Sequence, residues 1–234
     1  HGDIAAANLT ITTQRQKQVD FSNPFLSGVK ELLVTGPLAQ PIKSIDDLAG
    51  KEIHVRRSSS YYESLVQLNT SFKKAGKSQM KLVLADETFE DEDLLEMVNA
   101  GLIPMIVMDS HKAQFWKQIL DNITVHQDIA MRVGGEIAWA FRKNSPKLKA
   151  VVNDFVKGHK EGTMLGNILF KRYLKNTKYV KNSVSEKELK KYNSMVQLFK
   201  KYAGEYDFNY LMIGAQAYQE SGLDHSKRSH AGAI

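Results

Sequence analysis

Short apolar runs alternate with amphipathic segments along most of the chain. Apolar residues at every third or fourth position predict helices, and short apolar or alternating runs predict strands. The predicted strands cover 30–35, 52–55, 81–84, 104–108, 123–125 and 136–141. The predicted helices cover 61–74, 91–100, 146–161 and 163–173, and a further helix follows Asp109 and ends at Leu120. Strands that alternate with helices indicate an α/β fold, for which we expect a mostly parallel sheet.

A second pattern, near the C-terminus, predicts a helix that ends in a single carboxylate. Its apolar positions recur at spacings of three and four: Phe208, Leu211, Met212, Ala215 and Tyr218. Asp207 can cap its start and Gly222 its end, which puts Glu220 in the last turn beside the apolar face. The helix dipole and partial burial both disfavour the charged form of a carboxyl group at such a place. A general acid needs this effect, because it must still hold its proton near neutral pH. The alternative is an ordinary solvated glutamate on the surface.

Composition limits the chemistry that the chain can support. Its 234 residues include no cysteine, which excludes disulfides and thiolate metal sites. The histidines lack metal-ligand spacing and the sequence has no phosphate-binding loop, so we expect neither a metal nor a cofactor. The apolar runs are shorter than a membrane span. The net charge of +6 favours anionic partners, while the interleaved aromatic residues are too few to indicate nucleic-acid binding.

Three stretches carry a resemblance to a known family. They read LTITTQR at 9–15 followed by VDFS at 19–22, DLAGK at 47–51 with SSSYYE at 58–63, and GEIAWAFRKNSP at 135–146. Together they resemble the type-two periplasmic solute-binding proteins of the polar-amino-acid group. The resemblance implies a two-lobed domain that traps a ligand between its lobes, with crossings between the lobes near Thr35 and Val133. It also implies that the first lobe is incomplete, so we expect a fragment truncated at both ends.

The same resemblance implies which side chains contact the ligand: Asn8, Thr10, Arg15, Ser59, Ser60 and Asp109. Arg15 offers a planar fork that suits a carboxylate, and the two serines precede a helix whose N-terminus attracts anions. Asp109 follows a strand and suits an ammonium group. The alternatives are a solvated loop cation for Arg15 and a helix cap for Asp109. Arg56 and Arg57 stand where the family carries small residues, a departure from its usual ligand set.

A second resemblance lies at the C-terminal end. The runs YDF at 206–208, AQAYQESG at 215–222 and SHAGA at 229–233 resemble the opening of the lytic transglycosylase domain, an α-helical fold like that of goose lysozyme. The family's catalytic glutamate falls on Glu220, and substrate-binding positions fall on Ser221 and Ser229. The implied reaction cleaves the MurNAc–GlcNAc bond of peptidoglycan without water. One carboxyl group protonates the glycosidic oxygen and then deprotonates the sugar's 6-hydroxyl, which closes a 1,6-anhydro ring.

These assignments divide the chain into three parts. Residues 1–178 are predicted to form the solute-binding domain, 179–185 a linker, and 186–234 the first helices of the lysozyme-like domain. Ser185 and Glu188 form a capping-box pattern that starts the first of those helices. Lysines are dense from 171 to 201, as on a solvated helix face, and attraction to anionic glycan or lipid is the alternative.

Two hypotheses for function remain open at this point. In the first, the chain belongs to a lytic murein transglycosylase of the bacterial periplasm, attached to the outer membrane or peripherally associated with it. That enzyme would act on peptidoglycan glycan strands and respond to an amino-acid or muropeptide ligand, and the 234-residue chain alone is expected to be inactive. In the second, the chain is a periplasmic binding protein for polar amino acids that serves an ABC transporter and is not an enzyme.

Overall fold

The computed structural model describes residues 2–178, 180, 186–224 and 228, and the chain divides into two compact units, His1–Thr177 and Lys178–Ile234. The strands of the first unit are β1 Ile4–Thr10, β2 Val19–Phe21, β3 Leu26–Thr35, β4 Glu52–Val55, β5 Lys81–Leu84, β6 Met105–Asp109 and β7 Thr124–Arg142. Its helices are α1 Thr13–Gln16, α2 Ser60–Lys74, α3 Asp91–Asn99, α4 Ser110–Trp116, α5 Pro146–His159 and α6 Met164–Phe170. The second unit contains α7 Glu186–Glu205 and α8 Tyr210–Ser221.

One sheet organises the first unit, in the order β1-β7-β3-β6-β4-β5, and β2 also pairs with β7. The pairs β4–β5 and β4–β6 are parallel, whereas β7 pairs antiparallel with β1, β2 and β3, and β3 pairs antiparallel with β6. The α/β class is confirmed, but the expectation of a mostly parallel sheet is wrong. Helical crossovers enforce parallel pairing only where α2 and α3 connect β4, β5 and β6, while the long β3 and β7 run antiparallel to their neighbours.

The two short strands predicted around 123–125 and 136–141 belong to one strand, β7, which is 19 residues long. Its pairing with β3 shifts register in four intervals, and the first two lie between the partners Leu26–Ile137, Val29–Gly135 and Glu31–Arg132. The first interval holds an extra residue on β3 and the second an extra residue on β7. Gly28 and Gly134 lie in these intervals with φ of 73° and 75°, a backbone conformation that favours glycine.

The predicted crossings near Thr35 and Val133 are not opposite each other. Thr35 pairs with Thr124, at the start of β7. The residues next to Val133 pair with the other half of β3, around Glu31. The crossings between the lobes near these two residues stay a prediction.

Strand alternation builds a core on each face of the sheet. One face packs against α2 and contains Leu33, Ile53, Val55, Leu65, Phe72 and Val107. The other packs against α3 and α4 and contains Val34, Leu94, Leu95, Val98, Ile106, Met108 and Ala113. Consecutive residues of β3 and β6 therefore belong to opposite cores, as period-two side-chain geometry requires. This packing fixes the start of α2 beside the end of β6.

In the second unit α8 packs on α7 through a small residue. Gly214 is buried, and a Cβ at that position would lie 2.9 Å from the Tyr192 ring. Gly222 ends α8 in the left-handed region, with φ of 66°, which confirms the predicted C-terminal cap. The predicted N-terminal cap is wrong, because the side chain of Asn209, and not that of Asp207, accepts a hydrogen bond from the first turn.

The apolar stripe predicted on α8 is largely exposed within the described residues. Phe208, Leu211 and Met212 are 67%, 54% and 72% exposed. The capping-box pattern at Ser185 lies outside the described residues. No helix in the described part of the chain has both the length and the apolar character that crossing a membrane requires.

Candidate ligand-binding site

A polar cavity of about 420 Å³ in the first unit brings together the six residues predicted to contact a ligand. They come from the end of β1, from α1, from the start of α2 and from the end of β6: Asn8, Thr10, Arg15, Ser59, Ser60 and Asp109. The other lining residues are Ala7, Leu9, Arg56, Ser58, Tyr61, Glu90, Asp91 and Lys112. Residues more than a hundred positions apart in sequence therefore meet in one cavity.

Hydrogen bonds of the backbone and of the guanidinium group both hold Arg15 in place. Its backbone N–H donates to Thr12 Oγ1, the cap of α1, at 3.2 Å. Its guanidinium donates from Nη1 to the Thr10 carbonyl at 2.9 Å and from Nη2 to the Ser58 carbonyl at 3.0 Å. Burial lowers the pKa of the guanidinium, and nearby carboxylates, Glu63 first, oppose this effect. This geometry differs from the freely solvated loop cation that was the alternative.

Ser59 and Ser60 form the first turn of α2, which begins at Ser60 and not, as predicted, at Tyr61. Ser59 Oγ accepts the N–H of Tyr62 at 3.3 Å and donates to the Arg56 carbonyl at 2.8 Å. Ser60 Oγ donates to Thr10 Oγ1 at 3.3 Å, which joins α2 to β1. The open N–H groups of a helix N-terminus attract an anion, so this end of the cavity suits a carboxylate.

Asp109 ends β6 and is 1% exposed. It precedes α4, but its side chain makes no capping hydrogen bond, so the helix-cap alternative does not describe it. Its Oδ2 accepts from Asn8 Nδ2 at 3.1 Å, and its backbone N–H donates to the Tyr61 hydroxyl at 3.1 Å. Among the described residues its Oδ1 is buried without a hydrogen-bond partner. An unsatisfied buried carboxylate oxygen is the feature that an ammonium group would complete.

The carboxyl group of Asp109 changes its charge near neutral pH. Burial raises its pKa to about 7, and the neighbouring carboxylates of Glu31 and Asp91 act in the same direction. Lys112 and the hydrogen bond from Asn8 oppose the rise. A cationic ligand group beside Asp109 would favour the charged carboxylate, so binding and protonation are coupled at this position.

Three residues that sequence reasoning did not assign to the site form an ionic cluster along its wall. Arg56 Nη2 donates to Asp91 Oδ1 at 2.6 Å, and Lys112 Nζ donates to Asp91 Oδ2 at 2.9 Å. Burial disfavours the charged form of Asp91, but Lys112 and Arg56 prevail and lower its pKa. The acidic first turn of α3 also has a local explanation, a favourable interaction with the helix dipole. Nothing local in the sequence links these residues, because they lie on the β4–α2 loop, α3 and α4.

A second buried ion pair lies behind the cavity. Glu31 on β3 is 1% exposed, and its Oε1 lies 3.2 Å from Nε of Arg132 on β7. Its Oε2 accepts from Ser64 Oγ on α2, and Arg132 Nε also donates to Ser64 Oγ at 3.2 Å. This contact connects α2 to β3 and β7. The negative charge of Glu31 is also one of those that raise the pKa of Asp109.

The predicted catalytic residue belongs to the second unit. Glu220 lies in the last turn of α8, as predicted, but its side chain is exposed and the expected partial burial is wrong. Ser221 Oγ donates to the Ala217 carbonyl at 3.0 Å and accepts the N–H of Asp224 at 3.3 Å, so its hydroxyl is engaged locally. Ser229 lies outside the described residues. The second unit as described thus presents Glu220 to solvent, without a surrounding cleft.

Most of the chain is similar in sequence to proteins that are named after an enzymatic activity. It is 30% identical over 234 residues to a protein named membrane-bound lytic murein transglycosylase F from Desulfosudis oleivorans, covering 99% of this chain and 50% of that protein. The chain therefore spans about half the length of this relative. The resemblance to that group is confirmed by further proteins of the same name, which match at 26–33% identity.

Solved structures share the fold of the first unit. An ancestral arginine-binding protein bound to arginine superposes with a TM-score of 0.58 at 24% identity, covering 73% of this chain and 71% of that one. A binding component of an ABC transporter from Wolinella succinogenes, complexed with lysine, superposes with a TM-score of 0.61 at 20% identity, covering 76% and 72%. At these identities the likeness establishes the fold and nothing more.

The match to a family model decides the assignment of the first unit. Residues 1–176 match the family described as bacterial extracellular solute-binding proteins, family 3. These residues contain every strand of the sheet described above and all six predicted ligand contacts. The chain belongs to the bacterial extracellular solute-binding proteins, family 3.

Proposed function

We propose that the cavity of the first unit binds a small zwitterion, an amino acid or the amino-acid end of a muropeptide. One observation carries the proposal: six residues predicted from sequence as ligand contacts line the same polar cavity, and they include the oppositely charged types Arg15 and Asp109. Arg15 and the N-terminus of α2 would hold the ligand carboxylate. Asp109, with its unpartnered Oδ1, would hold the ammonium group.

Calorimetric titration with a panel of L-amino acids tests this binding in the full-length protein. Arg15→Gln should weaken binding by roughly thirtyfold or more, because loss of a buried charge partner typically costs at least about 2 kcal/mol. Lys17→Gln is the matched control, because Lys17 lies just after α1, is exposed and donates to the side chain of the exposed Gln14. Equal affinities of the two variants for every ligand would refute the role of Arg15.

We also propose that the full-length protein is a lytic transglycosylase of peptidoglycan, with the solute-binding domain as its regulatory part. Support comes from similarity that extends over 99% of this chain, beyond the solute-binding family match and through α8. Glu220 would protonate the glycosidic oxygen and then take the proton of the sugar's 6-hydroxyl, so a single carboxyl group serves both steps. Ser221 and Ser229 would contact the glycan.

The products and one substitution test the enzymatic proposal. Peptidoglycan digested by the full-length protein should yield 1,6-anhydro-muropeptides, which differ from hydrolytic products by one water in mass spectra. Glu220→Gln should reduce the rate by about a hundredfold or more, because general acid–base catalysis typically contributes at least that factor. Glu205→Gln, at the exposed end of α7, is the control. Reducing-end products, or near-normal activity of the Glu220 variant, would exclude the mechanism.

The proposal places the protein in the bacterial periplasm, at the outer membrane, with peptidoglycan strands as its substrate. The 234-residue chain alone should not clear a peptidoglycan suspension, because an exposed glutamate without a cleft neither positions the sugar nor excludes water.

The second candidate function is a periplasmic binding protein for polar amino acids that delivers them to an ABC transporter. The fold shared with binding proteins of such transporters favours it. The absence of lytic activity in the full-length protein, together with tight amino-acid binding, would favour this candidate.

A further inference from the structure

The ionic cluster on the cavity wall has its hydrogen-bond acceptors occupied. Asp91 Oδ1 accepts from Arg56 Nη2 at 2.6 Å. Asp91 Oδ2 accepts from Lys112 Nζ at 2.9 Å and from the Tyr61 hydroxyl at 3.3 Å. The next carboxylate, Glu90, lies 3.7 Å from Arg56 and its side chain is 74% exposed. A cationic ligand side chain would therefore find no free buried carboxylate among these residues.

The same cluster also contains a hydrogen-bond donor that a ligand could use. The side chain of Arg56 is 16% exposed and lines the cavity. Within the described part of the chain its Nε is buried without a hydrogen-bond partner, although Nη2 is paired with Asp91. A buried N–H donor without an acceptor costs free energy, which an acceptor atom of a ligand would recover.

The neighbouring arginine is different in each of these respects. Arg57 is exposed, and its guanidinium stacks over the Tyr62 ring at 5.8 Å from the ring centroid. It does not line the cavity. Two adjacent arginines thus have separate environments, so they provide a matched pair for experiments.

We propose that Arg56 makes the cavity select ligands whose side chain carries a carboxylate, and reject ligands whose side chain carries a cation. This inference rests on the proposed binding of an amino-acid-like ligand. The α-carboxylate would use Arg15 and the ammonium group Asp109, which leaves Arg56 and Lys112 to meet the side chain. An amide side chain, whose carbonyl accepts but carries no charge, ranks between the two because charge-assisted hydrogen bonds are the stronger ones.

A purely structural role for Arg56 is the competing explanation, since its ion pair with Asp91 fastens the β4–α2 loop to α3. The two roles differ in what a substitution changes. Loss of a structural contact lowers stability and weakens all ligands alike. Loss of a specificity contact changes the ratio of affinities, because specificity is a difference between two binding free energies.

Calorimetry with L-glutamate, L-glutamine and L-lysine on the full-length protein tests the inference. The wild type should bind glutamate about tenfold or more tighter than lysine, with glutamine between them. Arg56→Met removes the donor and frees Asp91 Oδ1, so it should bring the glutamate-to-lysine ratio to about one or invert it. Arg56→Lys should keep a reduced preference for glutamate, and Arg57→Met should keep the wild-type ratio. Thermal unfolding of each variant measures the structural contribution separately.

Each outcome bears on a different claim. An unchanged affinity ratio in Arg56→Met, with or without lower stability, overturns the inference and leaves Arg56 a structural residue. A wild type that prefers lysine overturns it directly. A wild type that binds none of the three ligands refutes the proposed ligand binding and this inference with it, whereas equal binding of all three refutes the inference alone.

Discussion

The buried carboxyl of Asp109 allows the electrostatics of the cavity to be tested by stability alone. Burial, then Glu31 and Asp91, raise its pKa from 3.8 to about 7. Between these two pH values the folded protein keeps a proton that the unfolded chain has lost. The free energy of unfolding therefore falls as pH rises through this window and stays level above it. In its charged form Asp109 destabilises the unliganded protein.

The size of the effect follows from the shift. The rise covers about three pKa units, and each unit corresponds to about 1.4 kcal/mol, so Asp109 costs up to about 4 kcal/mol above pH 8. Asp109→Asn substitutes a neutral group of the same shape that can still accept from Asn8. The variant should be more stable than the wild type at pH 8.5, with an advantage about 3 kcal/mol larger than at pH 5.

Urea unfolding followed by tryptophan fluorescence measures this difference, since Trp116 and Trp139 both lie in the first unit. Asp128→Asn, at an exposed position of β7, is the control for replacing an aspartate by asparagine. A stability difference between Asp109→Asn and the wild type that is the same at both pH values would refute the assigned protonation. The same variant should lose affinity for a ligand ammonium group, so stability and binding should change in opposite directions.

Three further outcomes are expected from the same structure. An ammonium group bound beside Asp109 at pH 7 should displace about half a proton, visible in calorimetry as a dependence on buffer ionisation enthalpy. In urea unfolding Gly36→Ala should lower the free energy of unfolding by at least about 2 kcal/mol, because its Cβ would lie 2.2 Å from a carbonyl oxygen of α3. The control Gly158→Ala, on the open side of α5, should raise the free energy of unfolding by about 0.5–1 kcal/mol. Arg132→Met should lower the free energy of unfolding by about 3–5 kcal/mol, because it leaves a buried carboxylate of β3 unpaired. Arg142→Met, which removes an exposed ion pair, should lower it by under about 1 kcal/mol.

Sequence patterns predicted the elements well where local chemistry determines them. The strands Glu52–Val55 and Lys81–Leu84 have the predicted bounds, because the first alternates polar and apolar residues, the second is a short apolar run, and turn residues close both. The end of α8 at Gly222 was predictable because a left-handed residue favours glycine. The direction of pairing was not, since it depends on which strands meet across long sequence separations.

The candidate site was predicted in part, for a related reason. The resemblance to a family named six of the residues that line the cavity and marked Arg56 as a departure from the family, but it did not indicate the ionic cluster that Arg56 forms with Asp91 and Lys112. Its members occur at positions where a charged residue has an ordinary local explanation, such as a favourable interaction with the helix dipole. The exposure of Glu220 agrees with the alternative of a solvated surface glutamate. Periodicity did not decide between the two alternatives, because burial depends on the surroundings of the helix.

The irregular pairing of β3 and β7 indicates where the length of this chain can change in evolution. β3 carries one extra residue between Leu26 and Val29, and β7 carries one between Arg132 and Gly135. Deleting Gly28 or Gly134 would leave equal numbers of residues on the two strands and keep the flanking pairs, so the side chains beyond them would stay on their own faces of the sheet. A deletion in a regularly paired stretch would instead slip the register by one residue. Single-residue gaps in homologous chains should therefore occur at these two glycines, each independently of the other, more often than in the rest of the two strands.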